Sequence, residues 1–233
     1  MKLFLLFLTY LYLVNGQHCS YRNYTHINSQ YNLALEDSKI AEHHEIIPLM
    51  SITPNNPNLT FITIDNEQWL KVVSLTSWSG YIHLIGSKVS TDRLIWVTLD
   101  PQLRSACENF CDVQDFDLRL KQLLGLHPNS TGTYIVELLV QLDSLYRPCL
   151  SPDITSYNCT LSYPSDVSST HIQWVEYLSS ISYHPYTGYP WTRLGYTYDW
   201  SSNTHYGLYE FIISSHAHII VYNIIDYYEY CCL

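Results

Sequence analysis

The sequence predicts an α+β domain, mainly antiparallel β (sandwich-like sheets) with two or three packed helices, and disulfide-stabilised. Three observations carry that expectation. Runs of β-branched and aromatic residues, each of strand length, recur between turn residues. The apolar period turns helical at Asp100-Pro101 and again after Ser168-Ser169-Thr170. Seven cysteines sit in a chain of 233 residues that opens like an export signal. Hydrophobic residues at 47% and charged residues at 14% exclude a disordered chain, which needs the reverse balance.

Taken in order, residues 1–16 read as a signal peptide. Lys2 supplies the positive end, Leu3 to Val14 the apolar run, and Val14 and Gly16 the −3 and −1 positions of a cleavage site. The run is shorter than the roughly 20 residues that span a bilayer core. The best later stretch, Ile219 to Ile225, is broken by Asn223. A secreted or periplasmic protein with no stable membrane insertion after cleavage is expected. Residues 17–58 are polar and turn-rich, with His43-His44-Glu45 and Pro54-Asn55-Asn56-Pro57, and read as an extended lead-in with at most one strand. Residues 59–233 read as one secreted α+β domain.

Within that domain, Leu59–Ile64 closes at the Asp65-Asn66 turn, and Trp69–Thr76, Tyr81–Ile85 and Arg93–Leu99 complete an antiparallel meander. Asp100 as N-cap and Pro101 at N1 start a helix with Leu103, Cys107, Phe110 and Cys111 on one face. Asp117–Leu124 is a second helix, ended by Gly125. Tyr134–Leu142 returns to strand. Ser168-Ser169-Thr170 cap a helix striped by Ile172, Trp174, Val175, Leu178 and Ile181. Gly195–Trp200, Tyr206–Ile213 and His216–Ile225 read as aromatic strands.

Cys149 and Cys159 flank a Pro-, Ser- and Asn-rich loop and make a natural pair. One of Cys107 and Cys111 is expected to join one of Cys231 and Cys232, leaving Cys19 for a remaining partner. A CxxxC with an adjacent CC lacks the usual zinc spacing, so no metal is expected. Eight glycines, scattered singly, leave no phosphate-binding loop, and no cofactor is expected. Acidic residues outnumber basic ones 21 to 11, for a net charge of −10, which argues against nucleic acid as a partner.

The most unusual segment is YHPYTGYPWTRLGYTYDW, Tyr183 to Trp200, part of a chain holding 22 tyrosines. Period-2 alternation puts Tyr196, Tyr198 and Trp200 on one face and Thr197 and Asp199 on the other. Rings of this kind stack on sugars or bury flat ligands. Trp191, Arg193, Tyr196, Tyr198 and Trp200 are therefore the candidate ligand-binding residues. The alternative is that the rings form a sheet core, with Arg193 paired to Asp199 or stacked on Trp191. His216-Ala-His218 could point two imidazoles one way, but the glycine and glutamate of a cupin site are missing around it. Neither a GxSxG elbow nor HExxH occurs. A carboxylate pair could come from Glu137, Glu176, Asp199 or Glu210.

The expected function is thus a secreted, non-catalytic binding or interaction module with an aromatic surface, its partner a neutral ligand, a glycan or another protein. The alternative is a glycoside-directed hydrolase with a carboxylate/His cleft near residues 184–210, using Asp199 or Glu210 with His184 or His205. No catalytic residue is assigned.

The runs RLIWVTLDPQL, LRLKQLLGLHP, LYRPC with a second cysteine ten residues on, GYPWTRLGYTYDW, GLYEFII and the terminal YEYC span residues 93–232. Together they make the chain similar to a family of exported bacterial proteins that share a PWTRLGYTYDW-like motif and have no assigned activity. The resemblance implies that Cys149, Cys159 and one of Cys231 or Cys232 are structural, and it transfers no catalytic residue. Four Asn-x-Ser/Thr sequons start at Asn23, Asn58, Asn129 and Asn158, and read as exposed loops.

Overall fold

A computed structural model describes residues 24–185 and 187–233. The expected signal peptide, Cys19 and the Asn23 sequon lie outside the described residues. The strands are β1 (Phe61–Ile64), β2 (Glu67–Thr76), β3 (Lys88–Ser90), β4 (Ile95–Leu99), β5 (Tyr134–Val140), β6 (Leu145–Tyr146), β7 (Tyr196–Tyr198), β8 (Tyr206–Ile213) and β9 (His218–Asp226). They join in one antiparallel sheet ordered β3-β9-β5-β2-β4-β8-β6, with β1 added to β2 and β7 to β8. The β1–β2 hairpin turns at Asp65-Asn66, whose φ values of 51° and 67° are those of a two-residue hairpin turn matched to strand twist. The α+β architecture, antiparallel pairing and disulfide stabilisation are those the residue pattern predicts.

Strand alternation sorts the sheet into two faces. Leu70, Val72, Val97, Leu99, Val136, Leu138, Phe211, Ile213, Ile219 and Val221 form the larger core, covered by Ile52, Leu59 and Ile154 from loops. The opposite face carries Val73, Ile135 and Leu208 against two helices, α2 (Asp100–Cys107) and α3 (Phe116–Leu123). On β4 and β8 that same face presents Trp96, Thr98 and Glu210, with Thr98 directly opposite Glu210.

The C-terminus ends in a short helix, α5 (Tyr227–Cys232), and is bolted once to α2 and once to the turn that follows it. Disulfides link Cys107 to Cys231 and Cys111 to Cys232, and a third joins Cys149 to Cys159. Both members of the helical pair are therefore joined to both members of the terminal pair, where one such bond was expected. Around this clamp lies a buried polar network. Lys71 pairs with Glu137 at 2.7 Å and Asp100 at 3.5 Å, and the Tyr230 hydroxyl donates to Asp100 at 2.7 Å. Arg104 donates to the Tyr230 carbonyl and lies over its ring. Asp100 is thus taken up by Lys71 and Tyr230 and does not cap α2, whose N-cap is Leu99.

Three segments differ from expectation. Tyr81–Ile85 is not a strand; Ser79–Leu84 is a 3₁₀ helix. Its three-residue turn brings Tyr81 and Leu84 to the same side, both packed on the larger core. The lead-in is not extended, because Tyr24–Asp37 forms helix α1. Its buried residues Ile27, Tyr31, Ala34 and Leu35 fall at helical spacing, diluted in sequence by polar neighbours. In helix α4 (Ser169–Ser182), capped by Ser168 as expected, Val175 is buried but Ile181 and Tyr177 are exposed. Its apolar stripe is only partly covered.

Candidate functional site

Four of the five residues expected to form an aromatic binding surface are placed in the interior. Trp191, Tyr196, Tyr198 and Trp200 are all buried, the last at 5% exposure. Each ring's polar atom reaches a fixed acceptor. The Trp191 indole donates to the Pro148 carbonyl and that of Trp200 to the Leu126 carbonyl, both at 3.1 Å. The Tyr196 hydroxyl donates to the Glu45 carbonyl and that of Tyr198 to the Asp37 carboxylate. These rings fasten residues 37–45, Pro148 and the residues after α3 to the segment 191–200. Arg193, half-buried, donates to the Lys39 carbonyl and sits near the Tyr183 ring, 5.9 Å from its centroid. It does not pair with Asp199, whose carboxylate is held by both terminal nitrogens of Arg119 at 3.0 and 2.6 Å. The physical reason is that tyrosine and tryptophan satisfy burial and hydrogen bonding together, which makes them framework residues wherever backbone carbonyls come within reach.

What these rings frame is a cavity of about 500 Å³ between the helical face of the sheet, the residues after α3, and α1. Its walls are mainly apolar, with Val73, Leu75, Leu103, Leu124 and Leu126 among them. Asn129 is exposed at its edge. A small number of polar groups converge inside. Glu210 projects from β8 at 9% exposure, and burial pushes its carboxyl up to about 8. This carboxyl has no hydrogen bond or ion pair among the described residues, while the Glu210 amide donates to the Gly195 carbonyl. The Thr98 hydroxyl is also buried without a partner, and the Tyr189 hydroxyl is buried beside Ser182. Burial drives the Tyr189 phenol well above its ordinary range and lowers the His127 imidazole. Trp96 and Tyr189 meet edge to face at 5.2 Å, as do Tyr31 and His127 at 4.9 Å.

Local chain geometry sets this up. The Tyr31 hydroxyl donates to the Gly188 carbonyl at 2.9 Å, drawing α1 against the segment that carries Tyr189. A side chain at Gly188 would collide with the Ser182 carbonyl, so only glycine lets that segment pass. Gly125, at φ +66°, ends α3 and turns the chain toward Leu126 and His127.

Most groups of the catalytic alternative have other partners. Glu210 is the one carboxylate lining the cavity among the described residues, whereas glycoside cleavage uses two. Asp199 is locked to Arg119. His205 stacks on Tyr198 at 4.6 Å, and His184 meets Thr187. Glu137 belongs to the Lys71 and Arg104 network. A second cavity, of about 600 Å³, contains Glu36, Asp37, Glu42 and Glu45. Its acids are occupied by Lys39, Tyr198, His44 and the Glu42 backbone amide respectively.

We compared the chain with sequence profiles of known families, with curated proteins and with solved structures. None matches. Among the described residues no three His, Cys, Asp or Glu side chains gather to hold a metal ion, and no helix is long and apolar enough to cross a membrane.

Of the cavity's polar groups, Glu210 stood out in sequence as a candidate acid. Tyr31, Trp96, Thr98 and His127 did not, because nothing local distinguishes them from core residues. Glu210 carries a signal of its own: in YGLYEFII it shares a strand face with Leu208 and Ile212, so an acid enters an apolar series.

Proposed function

We propose that the protein is an exported, non-catalytic binding module whose cavity takes one small molecule with an apolar body and a polar head. The observation that carries this reading is a cavity of about 500 Å³ with apolar walls, into which the Glu210 carboxyl and the unpartnered Thr98 hydroxyl enter from neighbouring strands. Pockets that bind small molecules have this composition, apolar in bulk with a few polar groups that fix orientation. The signal-like residues 1–16 and the disulfides support export. Trp191, Arg193, Tyr196, Tyr198 and Trp200 serve as the scaffold of this pocket.

Titration with the neutral fluorophore N-phenyl-1-naphthylamine tests the reading. One saturable site is expected, lost in Leu126→Trp, which fills the cavity from its rim while circular dichroism remains native. Saturable binding that survives undiminished in a folded Leu126→Trp protein would place the ligand elsewhere and overturn it.

A further inference from the structure

We propose that the ligand is an organic ammonium ion, its charged head held by Glu210 and its apolar body lying along Trp96 and Tyr189. This rests on the binding-cavity reading above and assigns the ligand's chemical class. Four acids are buried among the described residues: Asp100, Glu137, Asp199 and Glu210. Three have their charge matched inside the fold, Asp100 and Glu137 by Lys71, Glu137 also by Arg104, and Asp199 by Arg119. Glu210 has no such partner, and no Lys or Arg lines the cavity. The missing positive charge is what a bound cation would supply.

The neighbouring groups fit the same head. An ammonium brings up to three N–H donors, and beyond Glu210 the acceptors within the cavity include the unpartnered hydroxyl oxygen of Thr98. The aromatic faces of Trp96 and Tyr189 favour a cation beside them. The titratable groups that face Glu210 are few. Trp96 and Thr98 on β4 and Thr197 on β7 bear no charge, Tyr189 stays neutral, and His127 and Tyr31 complete the set. An anionic head would meet only like charge or neutral groups there. The chain's net charge of −10 also draws cations toward it.

At neutral pH the empty cavity keeps Glu210 protonated, because burial raises its carboxyl to about 8. Seating an ammonium ion favours the carboxylate, so the Glu210 proton leaves to solvent while the ligand keeps all of its own. A neutral alcohol of the same shape needs no such release. The class of ligand is therefore readable from proton release as well as from affinity.

The test is calorimetric titration with 2-phenylethylammonium, 2-phenylethanol and 3-phenylpropanoate at pH 7, in phosphate and in Tris. Expected are at least about tenfold tighter binding of the ammonium than of the alcohol, and release of about one proton. Its affinity should rise between pH 6 and pH 8. Glu210→Gln should erase both the preference and the proton release, while N-phenyl-1-naphthylamine still binds. Alcohol binding as tight as ammonium binding, or ammonium binding without proton release, overturns the proposal even where the fluorophore binds normally. Failure of all four probes overturns the cavity reading and this inference with it. The comparison among probes uses the wild-type chain, so it holds even if Glu210→Gln does not fold.

Discussion

Replacing Glu210 by Gln isolates what an unpartnered buried acid does to this fold. Burial raises the Glu210 carboxyl from its ordinary 4.5 to about 8 in the folded chain. Below pH 4.5 folded and unfolded chains both carry the proton, and the group has no pH-dependent effect. Between pH 4.5 and 8 the folded chain keeps a proton that the unfolded chain gives up. Stability therefore falls as pH rises through this window, and above pH 8 the full loss persists. At about 1.36 kcal/mol per pH unit, the loss has an upper bound of about 5 kcal/mol. Water reaching the carboxyl from the Asn129 edge lowers that figure, so a loss of about 2–5 kcal/mol is expected. Gln keeps the shape and cannot ionise. Urea unfolding of both proteins with disulfides intact, at whole pH values from 5 to 9, should show near-equal stability at pH 5. The variant should then gain steadily over wild type up to pH 8. His127, whose imidazole is lowered by burial, acts in the opposite sense near neutrality, but it is common to both proteins and cancels in the difference. Parallel stability curves across the range would refute the argument that Glu210 is buried without a charge partner.

Two further outcomes follow from the framework. Trp191→Ala and Trp200→Ala should each cost about 3–5 kcal/mol in urea unfolding, because both rings are buried and their indole N–H groups hold backbone carbonyls; a loss under about 1 kcal/mol would show that the rings are not framework. Removing Cys111–Cys232 alone, as the paired serine variant, should cost little, because Cys107–Cys231 still closes almost the same loop. Removing both bonds should cost about 5 kcal/mol more, the loop-entropy value for a closure of 124 residues; additive losses in denaturation midpoints would contradict this.

Local chemistry made much of the sheet readable. Asp65-Asn66 between two β-branched runs specifies a hairpin, and Gly125 ends a helix, because each depends on a few adjacent residues. Tyr81–Ile85 misled because Tyr81, Ile82 and Ile85 favour strands, whereas the three-residue spacing of Tyr81 and Leu84 matters once a core exists to receive them. The aromatic segment was legible as unusual but not as interior. Whether a tyrosine is framework or surface depends on the acceptor its hydroxyl finds. For Tyr196 and Tyr198 those acceptors lie 151 and 161 residues away along the chain. Sequence spacing holds no record of such meetings.

The contrast among the four buried acids gives the site its meaning. A fold that buries Asp199 supplies Arg119 to both of its oxygens, and one that buries Glu137 supplies Lys71 and Arg104. The same chain therefore has the means to neutralise a buried carboxylate wherever the role is structural. At Glu210 it surrounds the acid with Leu, Val, Trp and Tyr side chains and leaves the Thr98 hydroxyl beside it unpaired. That arrangement costs stability at neutral and alkaline pH and adds nothing to the core, since an apolar residue at 210 would continue the series of Leu208 and Ile212. The rings of Trp191, Tyr196, Tyr198 and Trp200, each anchored to a distant carbonyl or carboxylate, hold the walls still around it. A rigid apolar chamber with one unmatched acid at its floor is preorganised for a ligand that carries the matching charge.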